Sequence, residues 1–252
     1  MMRYIISCFL ILITASCSDM DSPPELINKL RPILTTINSQ DGSSSNPPLV
    51  GETVSLYFHF LAPEDVENVS LELSTSPSAL PNTLNQTHLI RFDSATLIKL
   101  SSLNHIIVSS TWQLPSNAAD IIGLTGGVAP FNYAVKALAD GYEKEITGSF
   151  LVYTSADAPT YNWNFDDAGI ELPESDSSKT LSTESVSIKA SSGNTQNEPV
   201  KIAWFTSVGE ILNRRSVETT WKPNEAGEHS LIFTIRGKSS KMSAIRSVSV
   251  SL

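Results

Sequence analysis

The stretch from Pro199 to Leu252 alternates apolar and polar residues in short runs, and this alternation constrains the fold more than any other feature. The apolar members of the runs are Val200, Ile202 and Trp204, then Leu231, Phe233 and Ile235, then Ile245, Val248 and Val250. A period of two places such residues on one face of a β-strand, which a second sheet must cover. Turn-forming pairs such as Val208-Gly209 and Pro223-Asn224 separate the runs. We therefore predict an all-β chain of antiparallel β-sandwiches.

Several motifs follow one another in a fixed order within this stretch. They are Ala203-Trp204-Phe205, then Thr220-Trp221 with Pro223, then Glu225-Ala226-Gly227 before a Leu-x-Phe-x-Ile strand. This order resembles the bacterial Ig-like or PKD-like modules, although His229-Ser230 stands where that family usually has an aromatic residue. The resemblance implies a sandwich fold without a particular activity, because adhesins, enzymes and scaffolds all carry such modules.

Residues 1–16 have the composition of a bacterial signal peptide. Arg3 supplies a positive charge, and residues 5–13 form an apolar run that only Ser7 interrupts. This run is far shorter than the roughly 20 residues needed to cross a bilayer. The small residues just before Cys17 suit cleavage by a signal peptidase. We therefore interpret residues 1–16 as a targeting segment that is removed.

Thr14-Ala15-Ser16-Cys17 also resembles a bacterial lipobox, although Thr14 stands where leucine is usual. The resemblance implies that the Cys17 thiol is acylated, with lipid chains such as palmitate, and becomes the new N-terminus. Cys8 leaves with the signal, so acylation removes a Cys17 thiol that has no disulfide partner. Ser18 follows the cysteine, which by resemblance to enteric lipoproteins implies an outer-membrane location on either face. An ordinary secretory signal with an unrelated cysteine is the alternative.

The segment after Cys17 is rich in Ser, Pro, Asn and Asp and poor in apolar residues. Such a composition buries too little surface to offset the entropy lost on ordering. We interpret residues 17–29 as a tether, and we expect a first strand at Leu30 to Ile37.

Two parts of the chain repeat the same order of motifs. Leu49 to Phe60 is similar to Leu181 to Ala190, 132 positions later, and Thr111-Trp112 is matched by Thr220-Trp221. A repeat of this period indicates two tandem domains rather than a solenoid of short units. The expected divisions are an Ig-like domain 1 at 30–154, a linker and first-strand region at 155–180, and an Ig-like or PKD-like domain 2 at 181–252.

Domain 1 carries an insertion at Ala118 to Pro130 with three apolar side chains, Ile121, Ile122 and Leu124. A loop that covers the end of the core and an exposed apolar binding tip are both consistent with this composition.

Charge argues against a nucleic-acid partner. After removal of the signal, 26 acidic side chains stand against 16 basic ones, and affinity for nucleic acid comes from neutralising phosphates. The basic pair Arg214-Arg215 is more typical of a solvated hairpin tip than of a surface for lipid headgroups or a partner. Between the domains, residues 166–176 hold five carboxylates. These could supply the oxygen ligands of a calcium site, or the segment could be a solvated linker.

The sequence carries no recognised catalytic motif, and we predict neither enzymatic activity nor a cofactor. The four histidines share no metal-ligand spacing, and none of the serines has a visible base partner. Trp204 and Trp221 are expected in the core, whereas Trp163 and the nearby Tyr161 are candidates for an exposed aromatic ligand contact.

We therefore expect a lipid-anchored protein of the bacterial cell envelope that binds a protein or glycan partner, in adhesion or in scaffolding. Recognition is expected at exposed loops or an unpaired sheet edge. The alternatives are a carbohydrate-binding accessory protein that uses Trp163, a structural envelope spacer, and an enzyme with an unrecognised site.

Overall fold

The computed structural model describes residues 27, 29–40, 47–74, 82–121, 125–139, 141–154, 164–171, 185–194, 198–238 and 243–251. Within these ranges the regular structure consists of β-strands and one short 3-10 turn, Ala118–Asp120. The named strands pair antiparallel and pack in layers, so the predicted all-β sandwich fold is confirmed. The described residues include no helix long and apolar enough to cross a membrane.

Eight strands form the first sandwich. In chain order they are β1 (Arg31–Ile37), β2 (Thr53–Ala62), β3 (Ser70–Leu73), β4 (Leu89–Phe92), β5 (Thr96–Leu100), β6 (Leu103–Gln113), β7 (Val128–Ala139) and β8 (Tyr142–Tyr153). Sheet A has the order β1-β2-β6, with β4 and β5 both paired to the far side of β6. Sheet B has the order β3-β7-β8.

Seven strands form the second sandwich. They are β9 (Asn164–Glu171), β10 (Val186–Asn194), β11 (Val200–Thr206), β12 (Glu210–Ile211), β13 (Glu218–Lys222), β14 (Glu228–Gly237) and β15 (Ser243–Ser251). Sheet C has the order β12-β13-β10-β9, and sheet D has the order β11-β14-β15.

The two sandwiches share one topology. The order β1-β2-β6-β4 in sheet A corresponds to β9-β10-β13-β12 in sheet C, and β3-β7-β8 in sheet B corresponds to β11-β14-β15 in sheet D. The same residue types recur at one place in both ladders, because Val54 pairs with Trp112 and Val186 pairs with Trp221. Val54 and Val186 lie 132 residues apart, which is the spacing at which the sequence repeats its motifs on β2 and β10.

Each sandwich has its own apolar core between its two sheets. In the first, the ring of Phe58 meets Tyr133 edge-on at 5.6 Å, and Trp112 is fully buried. In the second, Trp204 packs against Phe233 at 5.1 Å, and Trp221 is also fully buried. The prediction that Trp204 and Trp221 are core residues is confirmed.

The last strand departs from its expected pattern. Ala244, Val248 and Val250 face the second core, whereas Ile245 faces away from it and belongs to a different cluster. The expectation that Ile245 shares a face with Val248 and Val250 is wrong, because Ile245 lies three positions before Val248 and an odd offset along a strand reverses the side-chain direction.

His229 is a buried residue of β14 that packs against the second core. Its ring meets Trp221 edge-on at 6.4 Å, so the imidazole supplies the aromatic contact. Its Nε2 lies 3.1 Å from the carbonyl oxygen of Glu225, which accepts only, so Nε2 carries the proton.

The insertion in the first sandwich behaves at one position as a covering loop, because Ile121 is buried in the first core. Ile122 and Leu124 lie outside the described residues.

Gly148 leaves room for the Tyr133 side chain on the neighbouring strand. The two residues are cross-strand partners, and a Cβ at Gly148 would stand 2.2 Å from the Tyr133 hydroxyl oxygen. The hydroxyl makes a side-chain hydrogen bond with Thr35, and burial is the main cause that raises the pKa of Tyr133. The glycine therefore allows the Tyr133 side chain to lie over β8 and reach Thr35 on β1.

We predict that Gly148→Ala lowers the free energy of unfolding by about 2 kcal/mol, because overpacking displaces a buried ring. Chemical denaturation measures the change. The matched control is the same substitution in a Tyr133→Ala background, where the methyl group meets no ring and the cost should disappear. An equal loss in both backgrounds would contradict the proposed clash.

Candidate functional site

The structure does not locate the ligand-contact and lipid-attachment residues that the sequence suggests. Cys17, Tyr161 and Trp163 all lie outside the described residues. The first part of the acidic run, Asp166 to Glu171, lies within β9 of sheet C, and Glu171 is ion-paired with Lys189 at 3.4 Å. Within the described part of the chain, no group of three His, Cys, Asp or Glu side chains gathers in a way that could hold a metal ion.

Three of the four tryptophans are inaccessible to a ligand. Trp112, Trp204 and Trp221 are fully buried. Their indole N–H groups donate to Ser110 Oγ, Ser216 O and Val208 O respectively. These three rings are thus part of the cores and cannot form a stacking platform for sugars.

A third apolar cluster joins the two sandwiches, and we call it the joint. It contains four side chains of sheet A and two of sheet D, namely Ile33, Leu34, Leu61, Leu103, Ile232 and Ile245. Leu100 and Phe205 pack at its margin. The outer face of sheet A therefore meets the outer face of sheet D, and the four sheets stack in the order B, A, D, C.

The joint follows from side chains that point away from the cores. On β2, Phe58 and Phe60 face the first core while His59 and Leu61 face the second sandwich, and all four are buried. On β14, Phe233 and Ile235 face the second core, and Ile232 and Thr234 are buried on the opposite side. These strands are covered on both faces, as central strands of multilayered folds are.

Hydrogen bonds from side chains to backbone fix the orientation of the two sandwiches. Each of them joins one sandwich to the other, which satisfies polar groups that the joint removes from water. They are Ser243 Oγ to Thr35 O at 3.0 Å, Ser230 Oγ to Ser101 O at 3.1 Å, Ser102 Oγ to Glu228 O at 3.3 Å, and Arg236 Nη2 to Ser149 O at 3.3 Å.

A chain of polar side chains lies on the face of sheet A that the joint covers. The Thr36 hydroxyl donates to Ser39 O at 2.6 Å, so it accepts from His59 Nε2 at 3.1 Å. This assigns the proton of neutral His59 to Nε2 and leaves Nδ1 as an acceptor for His105 Nε2, also at 3.1 Å. The two rings stack with centroids 5.3 Å apart. Burial lowers the pKa of His105 to about 4, so it is neutral at neutral pH.

The edge of sheet A formed by β4 and β5 carries two of the four large apolar side chains that are exposed in the described part of the chain. β4 and β5 lie end to end along β6, and Ile90 and Ile98 are 53% and 38% exposed. Ion pairs flank these isoleucines, Arg91 with Asp93 at 2.7 Å and Lys99 with Glu67 at 3.0 Å. An edge of this kind offers backbone groups and apolar side chains to an added strand.

The Arg214-Arg215 turn lies beside the joint. Arg215 is exposed and Arg214 is half-buried, and the backbone of Arg214 accepts a hydrogen bond from Trp204 N at 3.2 Å. Burial, and next the nearby positive charge of Arg31, lower the pKa of Arg214. Arg215 therefore lies at the surface, as a solvated tip would require, whereas Arg214 approaches the first sandwich.

Fold and joint together define a class: an all-β protein of two antiparallel sandwiches stacked face to face. No family model matches the chain, and no curated protein matches it. Among solved structures it is similar to a protein of unknown function from Porphyromonas gingivalis W83, with 10% identity over 86% of this chain and 99% of that one. The TM-score is 0.22, and a likeness this low carries no argument about function.

Sequence reasoning missed the joint. The available signal was the apolar character of both faces of the same strands, as in the run from Phe58 to Leu61 and in Ile232 between Leu231 and Phe233. A strand buried on both faces reads as a near-continuous apolar run rather than as an alternation. His59 interrupts that run with a polar residue, which hides the pattern.

We predict that Ile232→Glu separates the two sandwiches without unfolding them. Ile232 is 1% exposed in the joint, and an unpaired buried carboxylate costs on the order of 3 kcal/mol or more. Small-angle scattering should show a larger radius of gyration, while near-ultraviolet circular dichroism of the core tryptophans persists. Ser247→Glu, at the exposed cross-strand partner of Ile232, is the control and should change neither. A larger radius of gyration that is accompanied by loss of the tryptophan circular dichroism would contradict the prediction, because the cores would then have unfolded.

Proposed function

We propose that this chain is a lipid-anchored protein of the bacterial cell envelope that binds a partner without catalysis, in adhesion or in scaffolding of another envelope component. The observation that carries the proposal is the joint. It holds the two sandwiches in one arrangement, so a partner meets a single preformed surface rather than two modules on a string. Preorganisation of this kind lowers the entropy cost of binding.

The anchor rests on the signal-like residues 1–16 and on the lipobox-like sequence that ends at Cys17. Acylation there attaches the chain to a membrane, with the outer membrane as the proposed site. The tether of residues 17–29 then leads directly to β1, which contributes Ile33 and Leu34 to the joint. The sandwich pair is in this way held near a membrane surface as one body.

The edge formed by β4 and β5 is the proposed contact for a protein partner. Ile90 and Ile98 supply apolar side chains, and the strands supply the backbone hydrogen-bonding groups of a sheet edge. A glycan partner requires exposed aromatic rings, and the burial of Trp112, Trp204 and Trp221 leaves this role to Trp163 and Tyr161.

A structural spacer is the second candidate function, and the joint favours it as well. Two sandwiches stacked face to face have a fixed thickness, which is what a spacer between envelope components requires. The spacer proposal assigns no role to the exposed β4–β5 edge, so substitutions there distinguish it from binding.

We predict that Cys17→Ser moves the protein from the membrane fraction to the soluble fraction, because the thiol that would carry the lipid is gone. Cell fractionation with immunoblotting measures this. Cys8→Ser is the control and should leave the protein with the membranes, since Cys8 lies in the segment that is removed. Cys17→Ser protein that still fractionates with membranes contradicts the lipid anchor.

We predict that Ile90→Glu with Ile98→Glu abolishes crosslinking of the full chain to its envelope partner in cells, because two carboxylates oppose strand addition at the edge. Leu212→Glu with Val217→Glu is the control, since these residues are exposed to a similar extent on the other sandwich. Crosslinks that both variants retain would favour the spacer.

Protease treatment of intact cells then separates adhesion, where the sandwiches are digested, from periplasmic scaffolding, where they are protected.

A further inference from the structure

The joint covers a pair of ionisable side chains, His59 and His105, which are 0% and 6% exposed. They lie on the outer side of sheet A, the side that carries Leu61 and Leu103 into the joint. We propose that these two histidines make the joint acid-labile, so that protonation separates the two sandwiches while both cores stay folded.

The order of donors and acceptors along the hydrogen-bond chain makes protonation disruptive. Neutral His59 donates from Nε2 to Thr36, so an added proton must go to its Nδ1. That nitrogen already accepts from His105 Nε2 at 3.1 Å, so the added proton either sets two N–H groups against each other or forces the His105 proton from Nε2 to Nδ1, and both outcomes leave a buried cation. A proton on the other ring instead goes to His105 Nδ1 and leaves a cation in a buried site. Either event favours exposure of this face to water.

Separation of the sandwiches hydrates the rings at the smallest cost in packing. The histidines belong to the paired strands β2 and β6, whose ladder can stay intact when sheet D moves away. In the described part of the chain the joint contains six buried apolar side chains, against 21 in the first core and 13 in the second. The joint is therefore the weakest of the three apolar contacts.

The charges around the joint do not compensate an added proton. On the face of sheet A the neighbouring titratable groups are Arg31 and Tyr57, with Asp93 bound to Ser109 at 2.5 Å at one end. On the face of sheet D they are Lys201, Arg236 and, at its end, Glu228, and Arg214 of the neighbouring turn adds a further positive charge near Arg31. Cations outnumber carboxylates, and Asp93 is already paired with Arg91 at 2.7 Å.

The direction of the pH dependence follows from the shifted group. Burial lowers the pKa of His105 to about 4, whereas a hydrated histidine titrates near 6.5. The separated form therefore binds the proton first as the pH falls, and the joint loses stability from pH 6.5 down to about 4. Across the whole titration, from well above pH 6.5 to well below pH 4, the ratio of separated to joined molecules should rise roughly 300-fold, with a slope that approaches a factor of ten per pH unit between the two pKa values. Above pH 6.5 the joint keeps its full stability.

The test is small-angle scattering of the full chain carrying Cys17→Ser, measured from pH 7.5 to pH 4. Near-ultraviolet circular dichroism on the same samples follows the buried tryptophans, with Trp112 in the first core and Trp204 and Trp221 in the second. We expect the radius of gyration to rise between pH 6.5 and 4 while the tryptophan signal is retained, and to return on neutralisation.

The variant His59→Gln with His105→Gln removes the titration and should stay compact down to pH 4. His105→Gln alone keeps an N–H donor towards His59 and serves if the double variant does not fold; it should shift the transition to lower pH. His88→Gln is the control that should leave the transition unchanged, since this ring is hydrogen-bonded to Asn85 in the loop before β4. The proposal is overturned if the radius stays constant, if the tryptophan signal is lost with it, or if the transition persists without His59 and His105.

Discussion

The burial of the outer face of sheet A beneath sheet D governs the rest of this structure. A two-sheet sandwich ordinarily leaves its outer faces to water, so its strands alternate apolar and polar side chains. Here β2 and β6 are covered on both sides, and every polar group on the covered face must find a partner within the protein. Thr36, His59 and His105 satisfy one another for this reason, and Ser230 and Ser243 donate across to the backbone of the other sandwich.

The sequence predicts the strands and the cores well because these depend on local periodicity. Trp204 and Trp221 are expected inside and lie inside, and the matched motifs at Thr111-Trp112 and Thr220-Trp221 occupy equivalent places in two sandwiches whose strand order is the same apart from the additional β5. The joint depends on long-range contact between two faces, and an alternation of apolar and polar residues does not show what covers a face. Ile245 shows this limit, because it is apolar as the run predicts but serves the joint rather than the core.

The joint also changes how the proposed binding function is understood. Tandem modules on flexible connections sample many relative positions, and each new contact must offset that freedom. In this chain, Arg236 of β14 reaches the backbone of Ser149 on β8, and Ser243 of β15 reaches that of Thr35 on β1. The strand that would receive tension from an N-terminal anchor, β1, is therefore held by both sandwiches at once.

The stacking of the sandwiches is head-to-tail, because sheet A of the first meets sheet D of the second, and these are not equivalent sheets. A head-to-tail contact can in principle repeat without end and build a filament from successive chains. The unused faces differ from the used ones at equivalent positions: Lys189 and Ser191 of sheet C replace Tyr57 and His59, and Asn132 of sheet B replaces Ile232. Lys189 is charged and exposed, and at these described positions neither outer face repeats the aliphatic side chains of the joint. At these positions the outward-facing side chains of sheets B and C therefore do not favour a further sandwich stacked in the same way.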